Sequence, residues 1–404
     1  MKKRFLSVLP CAASVFLFCN SSWSAEAVAA PVISDAQQVE QYNFAIHILA
    51  MLLVGFGFLM VFVRKYGYSA TTSTYLVVAV GLPMYLMLRA SGILCGEPIA
   101  PSTVKALLFA EFATASALIA MGAVLGRIRV YQYALLAALL VPAYLLNEWL
   151  VLDGGLGITK GFVDTAGSII IHAFGAYFGL GLALMLTTKQ QKEKPIESDA
   201  TSDRFAMLGS MVLWIFWPSF CCAIVPLSQM PQTAVNTILS LCGATLSTYI
   251  LSTFLRKGKT SIADMANAAL AGGVAIGATC NIVAPAMAFG IGVVAGTLSV
   301  LGYVFVQPFL ESKLKIVDTC GVHNLHGMPG LMGGLIAIAV VPGIAFAQLA
   351  GIIFTVVIAL TCGLCAGALI KVTGMKSLAY EDSDEFGVSE AAPALETIEI
   401  DDKD

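Results

Sequence analysis

The chain has 404 residues, of which 58% are hydrophobic and 12% charged, roughly half the charged share of an average soluble domain, and its mean hydropathy is +0.86. A formal net charge of −3 and a pI near 5.8 exclude the basic surface that nucleic acid requires, and no basic stripe interleaved with aromatics occurs. That composition belongs in lipid.

The N-terminus carries Lys2, Lys3 and Arg4, then an apolar stretch from Phe5 to Phe18 too short to span a bilayer, then Ala25-Glu26-Ala27. This is the pattern of a signal peptide over residues 1–27. From residue 28 to 371 apolar runs recur with short polar breaks, and about twenty such residues make a crossing helix. Breaking the chain at charge clusters and Pro/Gly turns predicts eleven spans, near 43–63, 75–95, 103–125, 131–151, 164–186, 206–227, 232–255, 262–281, 284–308, 318–341 and 344–371. The fold class expected is therefore an all-α polytopic membrane protein. The cysteines past the signal, Cys362 and Cys365 included, mostly lie inside apolar runs and read as small packing residues. Residues 372–404 form a tail, and its acidic stretch from Glu381 to Asp404 lacks an apolar stripe and reads as a disordered cytoplasmic segment.

Lysine and arginine test the count, because they collect on the cytoplasmic side of a bacterial-type inner membrane. Loops after the odd-numbered spans, with the tail, hold sixteen of them, against Arg89, Lys105 and Lys160 on the other side. The N-terminus is therefore expected outside and the C-terminus inside.

Residues 163–172 read VDTAGSIIIH and residues 317–326 read VDTCGVHNLH. The echo opens the fifth and the tenth span, which divides the domain into halves at 43–186 and 206–341, with a last helix at 344–371. Five is odd, so the second half enters the membrane inverted, as in transporters whose function sits at the repeat interface. Three of the four histidines, His172, His323 and His326, lie beside the echo, and intramembrane ionisable groups are functional by default. His47, alone on the first span, reads as structural. A metal site lacks further ligands at a usual spacing, and no cofactor is implied. A hydrolase would use Ser168, but no glycine loop or orienting third group accompanies it. A pore fits best, since facing neutral imidazoles donate and accept hydrogen bonds without net charge. Asp164 and Asp318 stand at the start of their spans, where each can cap a helix.

The strings SIIIHAFGAYFGL, LWIFWPSF, VDTCGVHNLHGMPG and EFATASALIAMGAVLGR resemble the ammonium transporter and Rhesus-protein superfamily, in its Rhesus branch. The resemblance implies a homotrimer with one pore per subunit, conducting ammonia or ammonium, with methylammonium and carbon dioxide as further candidate solutes. A carbon dioxide channel is the alternative function, and an intramembrane enzyme the alternative of another class. The resemblance also implies that His172 and His323 are the twin pore histidines, with His326 a neighbour and second choice. It makes Phe112 and Phe220 the stacked gate and Asp164 the outer recruitment residue, with Asp318 its second-half counterpart. The internal echo, by spacing, pairs His172 with His326 instead. Two departures are Cys221, where the family usually has asparagine, and the insertion DGGLGITKG before Asp164.

Overall fold

The computed structural model describes residues 35–93, 98–376 and 378–387. The signal peptide expected over 1–27 and the tail beyond 387 lie outside them. Apolar runs become helices because a backbone in lipid must satisfy its N–H and C=O groups within its own segment. Among the described residues nine helices are long and apolar enough to cross a membrane: α1 (Ala36–Phe62), α2 (Gly67–Ser91), α3 (Val104–Ala123), α4 (Val130–Val151), α5 (Ser168–Leu186), α6 (Ala200–Cys222), α7 (Leu227–Leu255), α9 (Pro285–Leu314) and α11 (Ala345–Val372). Two shorter helices complete the set. They are α8 (Ile262–Ile276) and α10, a π turn over His323–Gly327 continued by Met328–Val340. Each of these helices falls on one of the predicted spans.

The inverted repeat is visible in the backbone. Before α5 the chain runs extended, and Thr165 N and Ala166 N donate to Ala278 O (3.4 Å) and Gly277 O (2.8 Å), just past the end of α8. Before α10 Thr319 N and Cys320 N donate to Ala123 O and Gly122 O, both at 3.2 Å, at the end of α3. Such non-helical backbone is tolerated at membrane depth because protein covers it. Gly167 (φ 75°) and Gly321 (φ 68°) then turn the chain into the helix through a left-handed conformation open to glycine. The packing repeats as well, with α2 along α4 and α7 along α9. At the second contact Gly243 and Gly292 face backbone of α9 and α7, leaving no room for a Cβ, so small residues let the helices touch.

Loops after α1, α3 and α5 share one end of the bundle, as the charge sorting requires: Arg64 N donates to Glu197 O (2.8 Å) and Gln191 Nε2 to Arg127 O (3.0 Å). Arg127 is not an ordinary loop cation. It is fully buried and donates to the hydroxyls of Thr319 and Thr187 and the carbonyls of Ala123 and Val317, tying α3 to the start of α10.

The expectation that the chain is disordered from Glu381 onward is corrected for residues 381–387. Asp382 is buried and accepts from Tyr68 N (3.0 Å) and Ser69 N (2.7 Å), satisfying donors in the first turn of α2. Tyr380 N donates to Gly126 O (2.9 Å), and Lys194 Nζ reaches Glu381 (2.9 Å). Lys376 is buried, 5.0 Å over the Tyr66 ring and 3.9 Å from Asp384. Burial pushes the Lys376 ammonium below its ordinary range and the Tyr380 hydroxyl above its own. Caps and ion pairs hold this strap, and neither leaves the apolar periodicity that a sequence reading seeks.

Candidate conduction site

Both echo segments end in π turns, Ser168–Ala173 and His323–Gly327. In each an aspartate organises the turn. Asp164 Oδ2 accepts from Ile169 N and Ile170 N, both at 2.9 Å, and Asp318 Oδ2 accepts from His323 N at 2.9 Å. The residue five after each aspartate is thereby fixed to the cap, and the residue eight after it turns toward the centre of the bundle.

Those central residues are His172 and His326. Their Nδ1 atoms lie 3.1 Å apart, with ring centroids at 5.2 Å and planes within 7°. The expected pairing of His172 with His323 is therefore corrected. His323 occupies the place of Ile169 in the other half, its backbone bound to Asp318, its ring edge-on to Tyr177 at 5.7 Å. Among the described residues its Nδ1 has no partner.

On one side of the pair Trp217 stacks on His172 at 5.6 Å, and the Phe220 ring lies 6.0 Å from it. Phe220 meets Phe112 at 4.8 Å, tilted by 59°, so the two aromatics named from sequence do come together. On the other side Phe56 stacks on His326 at 6.4 Å. Beyond it opens a narrow cavity lined mainly by apolar side chains, among them Leu59, Met60, Leu118, Ile119 and Leu325. Its free space for a water-sized particle is about 20 Å³, enough for one small molecule. Aromatic pair, imidazole pair and cavity thus follow one another.

Asp164 is buried, and its Oδ1 has no partner among the described residues. Ser168 accepts from Ala278 N and donates to Val274 O, both at 2.7 Å, so its hydroxyl is committed to joining α5 to α8. His47 bonds Ser219 (2.9 Å) and stacks on Phe216, between α1 and α6. Among the described residues no three His, Cys, Asp or Glu side chains converge as a metal site would need. The reading from sequence passed over Trp217, Phe56 and Glu111. The first two look like any apolar-helix aromatic, but Glu111 was legible as a carboxyl inside a span.

The model of the Ammonium Transporter Family matches residues 11–392. The chain belongs to that family. Its relatives place it in the Rhesus branch: it is 43% identical over 295 residues to the Ammonium transporter Rh type B of Sus scrofa, covering 72% of this chain and 63% of that protein. To the Rh type A protein of Bos taurus it is 37% identical over 364 residues, 87% of this chain and 84% of that one. The solved structure of Nitrosomonas europaea Rh50, of the Rhesus protein family of channels, is 67% identical, with TM-score 0.88 over 89% of this chain and 95% of that chain. A Sensor Amt Protein at 22% identity superposes with TM-score 0.74 over 88% and 98% of the two chains and shares the fold. The family is one of transporters and channels, not enzymes. The match to the porcine Rh type B spans less than two thirds of that protein's length.

Proposed function

We propose that this Rhesus-branch protein conducts ammonia, taken up from ammonium that leaves its proton at the outer entrance. The observation that carries the reading is the His172–His326 pair, set between the Phe112–Phe220 contact and a small, mainly apolar cavity. A hydrogen bond between two Nδ1 atoms needs one N–H and one lone pair, so both rings cannot be imidazolium while it holds. In the neutral pair one Nε2 is then a donor and the other an acceptor. Ammonia carries three N–H groups and one lone pair and matches both; carbon dioxide, with no donor, matches only one. A bare ammonium ion would face a desolvation cost of order 20 kcal/mol in an apolar medium, lessened by relaxation and water. The neutral molecule escapes most of it.

In this reading Phe112 and Phe220 form the gate, and the pair His172 and His326 carries ammonia past it. His323 serves the inner wall. Buried Asp164 aids recruitment through its charge and through the π turn it caps, without touching the ion. Methylammonium is a poorer solute for so narrow a cavity. The protein works as a homotrimer in the inner membrane, its signal removed, its N-terminus outside and the docked strap in the cytoplasm. The test is stopped-flow measurement of internal pH in proteoliposomes given an ammonium gradient. Faster alkalinisation than in empty liposomes is expected, and equal rates would overturn the reading.

A further inference from the structure

Glu111 is the one carboxyl of α3. It is fully buried, and among the described residues neither oxygen has a hydrogen-bond partner. An isolated buried carboxyl costs stability, and inside a membrane domain such a group marks a functional site by default. Its direction follows from helix geometry. Leu118 and Ile119 both line the cavity below His326. One heptad earlier, about 20° round the helix and about 10 Å toward its start, stand Glu111 and Phe112. Phe112 already meets Phe220 at the aromatic constriction. Glu111 shares that lumen-facing sector, beside the gate.

Most titratable groups that neighbouring helices bring into this half of the bundle are otherwise engaged, while the Tyr144 ring of α4 packs on Tyr85 and Phe174. His47 of α1 bonds Ser219, Tyr85 of α2 donates to Glu148 of α4 (2.9 Å), Arg89 faces Asp153 (3.7 Å), and His172 of α5 holds His326. Asp164 spends one oxygen on two backbone N–H groups. Glu111 is thus the carboxyl nearest the Phe112 gate whose two oxygens are both uncommitted.

We propose that Glu111 is the proton acceptor at which ammonium becomes ammonia. This rests on the conduction reading above. When water reaches the open constriction, the Glu111 carboxyl yields its proton to that water, leaving a carboxylate and a hydronium ion that returns to the outer solution. An arriving ammonium ion pairs with the carboxylate. One N–H bond breaks, its electron pair stays on nitrogen, and the proton forms an O–H bond on Glu111. Ammonia moves on to His172 and the acid is restored. The net step is ammonium plus water giving ammonia plus hydronium, with the proton left outside.

The test is Glu111→Gln, which keeps size and hydrogen-bonding capacity and removes the titrating proton. Flux is measured in proteoliposomes at an outer pH of about 6, where an amine is protonated, and of about 10, where the free base is abundant. At the lower pH the variant should lose at least about tenfold against the unsubstituted protein, the low end for a proton-transfer residue. At the higher pH it should conduct within about twofold of it. Glu111→Asp, which keeps the acid, should recover part of the low-pH loss. Equal loss at both pH values in folded protein, or no loss at either, overturns the proposal. If Glu111→Gln does not fold, Glu111→Asp decides: a loss confined to low pH supports the assignment and a uniform one removes it. Failure of the unsubstituted protein to conduct would count against the conduction reading instead, so the two failures are told apart.

Discussion

His326→Ala should slow ammonia flux far more than His323→Ala, although the two residues are three apart on one π turn. In the structure His326 gives His172 Nδ1 its only partner among the described residues, and His172 Nε2 is already unpartnered. Removing His326 leaves a buried, under-bonded imidazole, a penalty of about 1–3 kcal/mol. If the conducted molecule loses the same stabilisation at the top of its barrier, flux falls about 5- to 150-fold, at about 1.4 kcal/mol per factor of ten. His323 offers no comparable bond. Its ring meets Tyr177 edge-on, worth about 0.5–1.5 kcal/mol, and losing that contact should appear in the melting temperature while flux stays within about twofold. Stopped-flow alkalinisation in proteoliposomes, normalised to folded protein by size-exclusion chromatography, reads both variants. Equal losses in the two, with both folded, would refute the reasoning, because only one imidazole is placed to hand on a solute.

Asp164→Ala and Asp318→Ala should each destabilise the fold by about 1–2 kcal/mol, since both cap a π turn, with a further loss of uptake in Asp164→Ala alone; identical melting and uptake losses would reduce Asp164 to its capping role. Phe112→Ala or Phe220→Ala should open the constriction and let ammonium carry current across a solid-supported membrane, and a variant as electrically silent as the unsubstituted protein would show that the ring pair does not exclude the ion. The strap should dock more tightly as pH rises. Burial lowers the Lys376 pKa in the docked state, so the docked state binds fewer protons between that lowered value and the ordinary 10.5, and docking gains as pH rises through this window until, above the ordinary 10.0 of tyrosine, the raised Tyr380 hydroxyl works in the opposite direction. Hydrogen-exchange protection over residues 378–387, taken relative to the intrinsic rate at each pH, should rise accordingly, and Lys376→Met should flatten the dependence.

Much of the fold was legible because lipid leaves the backbone few options. Spans, loop charges and the echo each follow from one-dimensional patterns, and the described helices fall where those patterns put them. What escaped is held by contacts with no period. The strap docks through Asp382 on the first turn of α2 and Lys376 over Tyr66, and acidity alone made that stretch look solvated. Arg127 counted as one more cytoplasmic charge, yet it is sealed between α3 and α10. Its burial depends on the Val317 carbonyl and the Thr187 and Thr319 hydroxyls, all far away in sequence.

The histidines show which kind of pattern carries geometric information. A motif match fixes which residues recur in a family but not the rotation of a helix, whereas an internal repeat ties each residue to a counterpart in the same chain. Asp164 and Asp318 cap the same turn, Gly167 and Gly321 enter it with the same left-handed backbone, and the eighth residue after each aspartate must then point the same way. His172 and His326 satisfy that condition, while His323 is the counterpart of Ile169, whose N–H is likewise bound to its own aspartate. The two halves approach the centre inverted, so equivalent side chains meet across it, and their rings lie parallel within 7°. Pseudo-symmetry about the passage thus chooses the partner, and inserting one residue between Asp318 and His326 should unpair the rings while leaving α10 helical.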